Sequence, residues 1–129
     1  MQQTMEQRRA AHAWASALAA KEKMERGDAK DRYKDYVNAA KGMPALIMNS
    51  GLMQVMAYNH GKKEERYELL AGHLRDWLHQ VQGTPEHFEP FMQHLLKAEP
   101  REFQAITAEA FAWLRWLRQM APAVEKGDF

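Results

Sequence analysis

Apolar residues recur every three or four positions along most of the chain, a period that predicts helices rather than strands. The clearest stripe is Tyr67, Leu70, Leu74, Leu78 and Val81, with Trp77 beside it and Gly83 closing the segment. A second stripe, Phe103, Ile106, Ala110, Trp113, Leu117 and Met120, follows Pro100, which suits the first turn of a helix. Pro122 is expected to limit its far end. A first helix is predicted over residues 3–25, ahead of Gly27-Asp28, with Trp14 and Leu18 turned inward. A second starts near Asp31, carries Tyr33, Val37 and Ala40 on one side and stops around Gly42. Pro44 then opens a short helix over 45–49, Gly51 punctuates, and another short helix over 52–58 is closed by Asn59-His60-Gly61. Thr84-Pro85 reads as an N-cap and N1 proline before a helix carrying Phe88, Met92 and Leu95. No alternating, β-branched run and no internal repeat occurs. The expectation is an all-α fold, a single compact bundle of about five to six helices in one domain spanning 1–129.

Length and composition narrow this further. A chain of 129 residues is too short to divide into two stable cores. Hydrophobic residues at 46% and charged residues at 27% exclude wholesale disorder. The absence of cysteine removes disulfides, thiolate zinc sites and a cysteine nucleophile together, and fits a reducing compartment. Arg8-Arg9 followed by residues 10–20 superficially resembles a secretory signal. Its centre is mostly alanine with His12, Trp14 and Ser16, and it runs straight into Lys21, Glu22 and Lys23, so a cytosolic amphipathic helix is the better reading. Residues 42–61 are uncharged and long enough to span a bilayer, but contain Pro44, Asn49, Ser50, Gly51, Gln54 and Asn59. They read as a buried helix pair, and the chain as a soluble cytoplasmic protein with no membrane partner.

Candidate chemistry is sparse. Six histidines invite a metal, yet none forms an HExxH pair, and His73/Asp76 and His60/Glu64, each one turn apart, supply only two ligands apiece. His87 and His94 lie two turns apart on one predicted helix. They are read as solvent-exposed helix histidines. No adjacent His-Asp dyad, no GxGxxG or GxxxxGK[ST] phosphate cradle and no GxSxG turn is present; Ser16 and Ser50 are the only serines. The expectation is a protein with no catalytic residue, no metal site and no cofactor, and therefore not an enzyme.

Charge distribution says more than the net +1. At about 100° per residue, with Trp14 and Leu18 inward, Arg8, Arg9, His12, Lys23 and Arg26 share the opposite face of the first helix, and Glu6, Glu22 and Glu25 project to its sides. On the last helix Arg115 and Arg118 project outward beside Phe111, with Arg101 at the margin; on the fourth, Glu65, Glu68 and Asp76 point away from the apolar stripe. Such faces are ordinarily just solvated. The functional alternative is that the basic faces track a phosphate backbone while the acidic face meets a basic neighbour. Phe111 on the outer face and Trp116 on the flank of the last stripe are candidate protein-interface anchors. Met43, Met48, Met53 and Met56 read mostly as core.

The segment Met43-Pro-Ala-Leu-Ile-Met-Asn-Ser-Gly-Leu-Met-Gln-Val-Met-Ala-Tyr58 resembles the small-subunit family of the Cmr effector complex of type III-B CRISPR-Cas systems. There, a Pro-x-Leu-Ile stretch leads into a Gly-Leu-x-x-x-x-Ala-aromatic helix. The preceding Asp31-Arg-Tyr-Lys-Asp-Tyr36 and the final Ala110-Phe-Ala-Trp-Leu-Arg-Trp-Leu117 also look like the family, so the similarity covers nearly the whole chain. The resemblance implies a non-catalytic antiviral-defence subunit that assembles with the other Cmr subunits and stacks in copies of itself as a minor filament. It also implies contact with the guide RNA/target RNA duplex, mainly the target strand. Family members are often more basic than this chain. The RNA-facing charge is then expected from Arg8, Arg9, Lys23, Arg26, Arg115 and Arg118, with Lys21 and Lys41 as weaker candidates. The uncharged residues 44–58 are assigned to the core. The alternative is a helical adaptor that binds only protein, without RNA contact.

Overall fold

The computed structural model describes residues 2–26 and 32–127, so the expected stop at Gly27-Asp28 and start at Asp31 lie outside the described residues. Six helices follow one another: α1 (Met5–Met24), α2 (Tyr33–Ser50), α3 (Leu52–Lys62), α4 (Glu65–Gln82), α5 (Phe88–Lys97) and α6 (Pro100–Glu125). No strand occurs among the described residues, and the all-α expectation stands.

Helix α1 starts at a reciprocal cap. The Thr4 hydroxyl accepts from the Gln7 backbone N–H (3.1 Å) while the Gln7 side chain accepts from the Thr4 N–H (2.8 Å), satisfying two end donors. Its inward face differs from the sequence expectation. Ala13, Ser16, Ala17, Ala20 and Met24 are buried, whereas Trp14 is half-buried and Leu18 is 38% exposed. The inward side chains are small because α1 packs closely along α6. Contacts between Arg9 and Glu109, His12 and Trp113, and Lys21 and Val124 advance together, so the two helices run parallel. Orienting a helix by its largest apolar side chains fails where the partner supplies the bulk.

Helix α2 is continuous through both Gly42 and Pro44, so the predicted stop and restart do not occur. Tyr33, Tyr36, Val37, Ala40, Met43 and Ile47 form one buried stripe that straddles the proline. An interior proline costs about 3 kcal/mol, whereas burying Met43 and Ile47 returns about 1.5–3 kcal/mol each. Burial therefore carries the helix across. Gly51, at φ +85°, makes the turn into α3 in a region that side chains avoid. Helix α3 then runs four residues past Tyr58 to Lys62, with Asn59 buried against Met43.

Two more boundaries move. Helix α5 begins at Phe88 rather than after Thr84-Pro85. The preceding segment is instead held by α4: His79 Nδ1 meets the Thr84 carbonyl (2.8 Å), and Arg75 Nε donates to the Glu86 carbonyl (2.8 Å). Thr84 is buried rather than capping a helix. Helix α6 opens at Pro100 as expected but continues past Pro122 to Glu125. There Ala121 and Val124 are buried, and Lys21 Nζ donates to the Val124 (3.2 Å) and Glu125 (3.5 Å) carbonyls, satisfying exposed acceptors of the last turn. The α4 and α6 stripes bury Trp77 and Trp113 on either side of His12, and both are among the largest fully buried side chains.

Candidate nucleic-acid interface

The eight basic residues singled out from the sequence are not gathered on one surface. Arg9 points into the bundle. Its side chain is 19% exposed and grips Glu109 through two hydrogen bonds, Nε–Oε2 at 2.7 Å and Nη2–Oε1 at 2.8 Å, while Nη1 reaches Glu6 Oε1 at 2.7 Å. This correction follows from the α1 orientation: the face through Ala13 and Ala17 also carries Arg9 and His12. Glu109, only 7% exposed, also accepts from Trp77 Nε1 at 3.0 Å. Burial pushes the Glu109 carboxyl up, but the Arg9 and Trp77 hydrogen bonds outweigh it and hold the net direction down. Lys21 is likewise occupied, at the end of α6.

The others stay at the surface. Arg8 is exposed and lies 5.8 Å from the Trp77 ring. Lys23 and Arg26 are exposed near the end of α1. Arg115 and Arg118 are exposed on α6; Arg118 Nη1 donates to the Lys41 carbonyl at 3.5 Å, which brings the α2 backbone at Lys41 beside Arg118, while Arg115 lies within electrostatic reach of Glu6 on α1. Helices α2 and α6 run in opposite directions here, since Tyr33 Oη donates to the Ala121 carbonyl at 2.9 Å. Arg115, Arg118 and Lys41 form no ion pair among the described residues. Phe111 and Trp116 are half-buried and packed against the core, so Phe111 is not on a bare outer face. Trp116 Nε1 donates to Glu6 Oε2 at 2.9 Å, tying α6 to the Arg9 cluster.

Three histidines depart from the expected solvent exposure: His94 is half-buried and meets Glu102 Oε2 at 3.0 Å, and two others sit against the core. His12, 13% exposed, lies between Trp77 and Trp113. Its Nδ1 accepts from Trp113 Nε1 at 2.9 Å, which leaves Nε2–H to donate to Asp76 Oδ2 at 2.7 Å. The fold thus builds a His-Asp pair from residues 64 apart in sequence. His73 accepts from Tyr36 Oη at 2.9 Å, and burial, followed by repulsion from His12, pushes it down to about 4. No group of three His, Asp or Glu among the described residues converges as a metal cage.

Sequence reasoning missed Glu109, an acid within an apolar stripe whose partner lies 100 residues away. It also assigned residues 44–58 to the core and to shaping the bundle, but Leu46 is 42%, Met48 77% and Tyr58 59% exposed. The absence of charge in that segment signalled a contact surface as readily as a core. No described helix is long and apolar enough to cross a membrane.

No curated protein sequence matches the chain significantly. The fold matches the crystal structure of a CRISPR-associated Cmr5 family protein from Thermus thermophilus with a TM-score of 0.73 and 23% identity, covering 95% of this chain and 97% of that one. Residues 5–124 match the family described as CRISPR-associated protein Cas_Cmr5. With the six-helix order, the Pro44-to-Tyr58 signature and a family match running almost end to end, the chain belongs to the Cas_Cmr5 family, the small subunits of type III-B Cmr complexes.

Proposed function

We propose that the chain is a non-catalytic, cytoplasmic small subunit that stacks in copies within the Cmr complex and holds target RNA against the guide RNA for antiviral defence. The observation that carries this reading is the group Arg115, Arg118 and Lys41, three exposed cations on adjoining helices with no ion pair among the described residues. Such groups neutralise phosphates without reading bases, leaving sequence choice to guide pairing. Arg8, Lys23 and Arg26 are secondary contributors; Arg9 and Lys21, already bound inside the bundle, contribute least. Exposed Leu46, Met48 and Tyr58 support protein contact at the α2–α3 turn, with neighbouring copies or other subunits.

The test is Arg115→Ala with Arg118→Ala in the complex assembled with guide RNA. The double variant is expected to assemble and to release target RNA at physiological salt. Its salt slope should fall by roughly 0.7–0.9 per phosphate contact removed. Target retention equal to the parent's would overturn the assignment. Collapse of assembly would make these arginines protein contacts and favour the adaptor reading.

A further inference from the structure

A second cationic site lies away from the α2–α6 pair. The end of α1, the end of α3 and α4 from Glu65 to Arg75 border an open cavity of about 530 Å³, lined by Lys23, His60, Lys63, Glu65, Glu68 and Arg75 among others. Lys23 and Lys63 have no ion pair or hydrogen bond among the described residues. Lys63 caps α3 in the left-handed conformation, φ +55°, where glycine is the usual occupant. Arg75 is anchored through Nε to the Glu86 carbonyl, with its guanidinium 6.0 Å from the Phe88 ring. The other side of the rim is fixed by a parallel stack of His60 on Phe88, centroids 3.8 Å apart.

The charge is unbalanced. Of the two carboxylates, Glu65 is already paired with Arg32, leaving Glu68 to face Lys23, Lys63 and Arg75. Burial lowers the Arg75 pKa, and the Glu68 carboxylate opposes that shift. The lining holds three cations and two carboxylates, and with Glu65 neutralised by Arg32 from outside the cavity, Lys23, Lys63 and Arg75 face Glu68 alone, a local surplus of two. A phosphate monoester carries about −1.5 to −2 at neutral pH, and the cavity volume is in the range of small-ligand sites. A single carboxylate ligand would leave the surplus half-compensated.

We infer that the α1–α3–α4 cavity binds phosphate groups through Lys23, Lys63 and Arg75, borne either on a free nucleotide or, in the case that rests on the proposed RNA-holding role, on an RNA strand. The experiment uses the full ¹⁵N-labelled chain at low salt with three probes: pyrophosphate, 5′-AMP, and a ten-nucleotide oligouridylate without terminal phosphates. Saturable amide shifts at Lys63, Glu68 and Ala71 are expected with at least one probe. Response to pyrophosphate or AMP identifies a free phosphate ligand; response to the oligouridylate alone identifies the strand. Lys23→Gln with Lys63→Gly, a pair compatible with the surface and with the left-handed backbone, should weaken binding about tenfold with an unchanged melting temperature. Glu68→Gln should strengthen it. No saturable shift with any probe, or parental affinity in the double variant, overturns the inference. Pyrophosphate binding by the isolated chain is independent of target retention through Arg115 and Arg118, so the two readings fail separately.

Discussion

Arg8 and Arg9 are neighbours in sequence and opposites in the fold. Arg8 stays at the surface over the Trp77 ring, whereas Arg9 enters the α1–α6 seam and is held by Glu109 and Glu6. One residue along a helix turns a side chain by about 100°, enough to move a cation from solvent to a buried pair. A buried pair contributes little net stability, but each partner is indispensable to the other because the survivor would be left charged and alone. The seam's arginine is therefore structural, and the surface arginine remains available to an anionic partner.

The largest effect that separates the two is Arg9→Ala. It leaves Glu109 beneath the surface with only the Trp77 N–H, and urea denaturation should show a loss of about 3 kcal/mol. The pH response of the neighbouring α2–α4 contact comes next. His73 titrates near 4 in the folded chain, below the ordinary 6.5, so between those values the unfolded chain binds more protons. Stability from this group is fully present above about pH 6.5 and is lost as pH falls toward 4, by on the order of 3 kcal/mol. His73→Gln should flatten that part of a stability–pH profile; an unchanged slope would show that the loss arises elsewhere. The smallest effect is Arg8→Ala, expected within about 0.5 kcal/mol of the parent. If it destabilises as much as Arg9→Ala, the contrast between seam and surface collapses.

Much of the fold was legible because periodicity survives in single sequences. The α4 stripe from Tyr67 to Val81 and the α6 stripe from Phe103 to Met120 needed nothing else. Local breaker rules failed at Pro44 and Pro122, where buried residues beyond each proline outweigh the missing hydrogen bond. The site was less legible. Which cations remain free depends on which acids sit opposite, and Glu109 meets Arg9 only after α1 docks on α6. Lys63 and Arg75 converge with Lys23 through the packing of three helices, a juxtaposition that no spacing along the chain announces.

The parallel docking of α1 on α6 also orders events in time. During synthesis α1 emerges first, and the residues it grips follow about a hundred positions later. At cellular elongation speeds that interval is roughly 5–20 s. Over that span the inward face of α1 has no α6 to rest on. Because Ala13, Ala17 and Ala20 dominate that face, the waiting helix offers chaperones and other nascent chains little adhesive area. The small side chains that permit close approach in the finished bundle thus also keep its oldest segment inconspicuous until the youngest arrives.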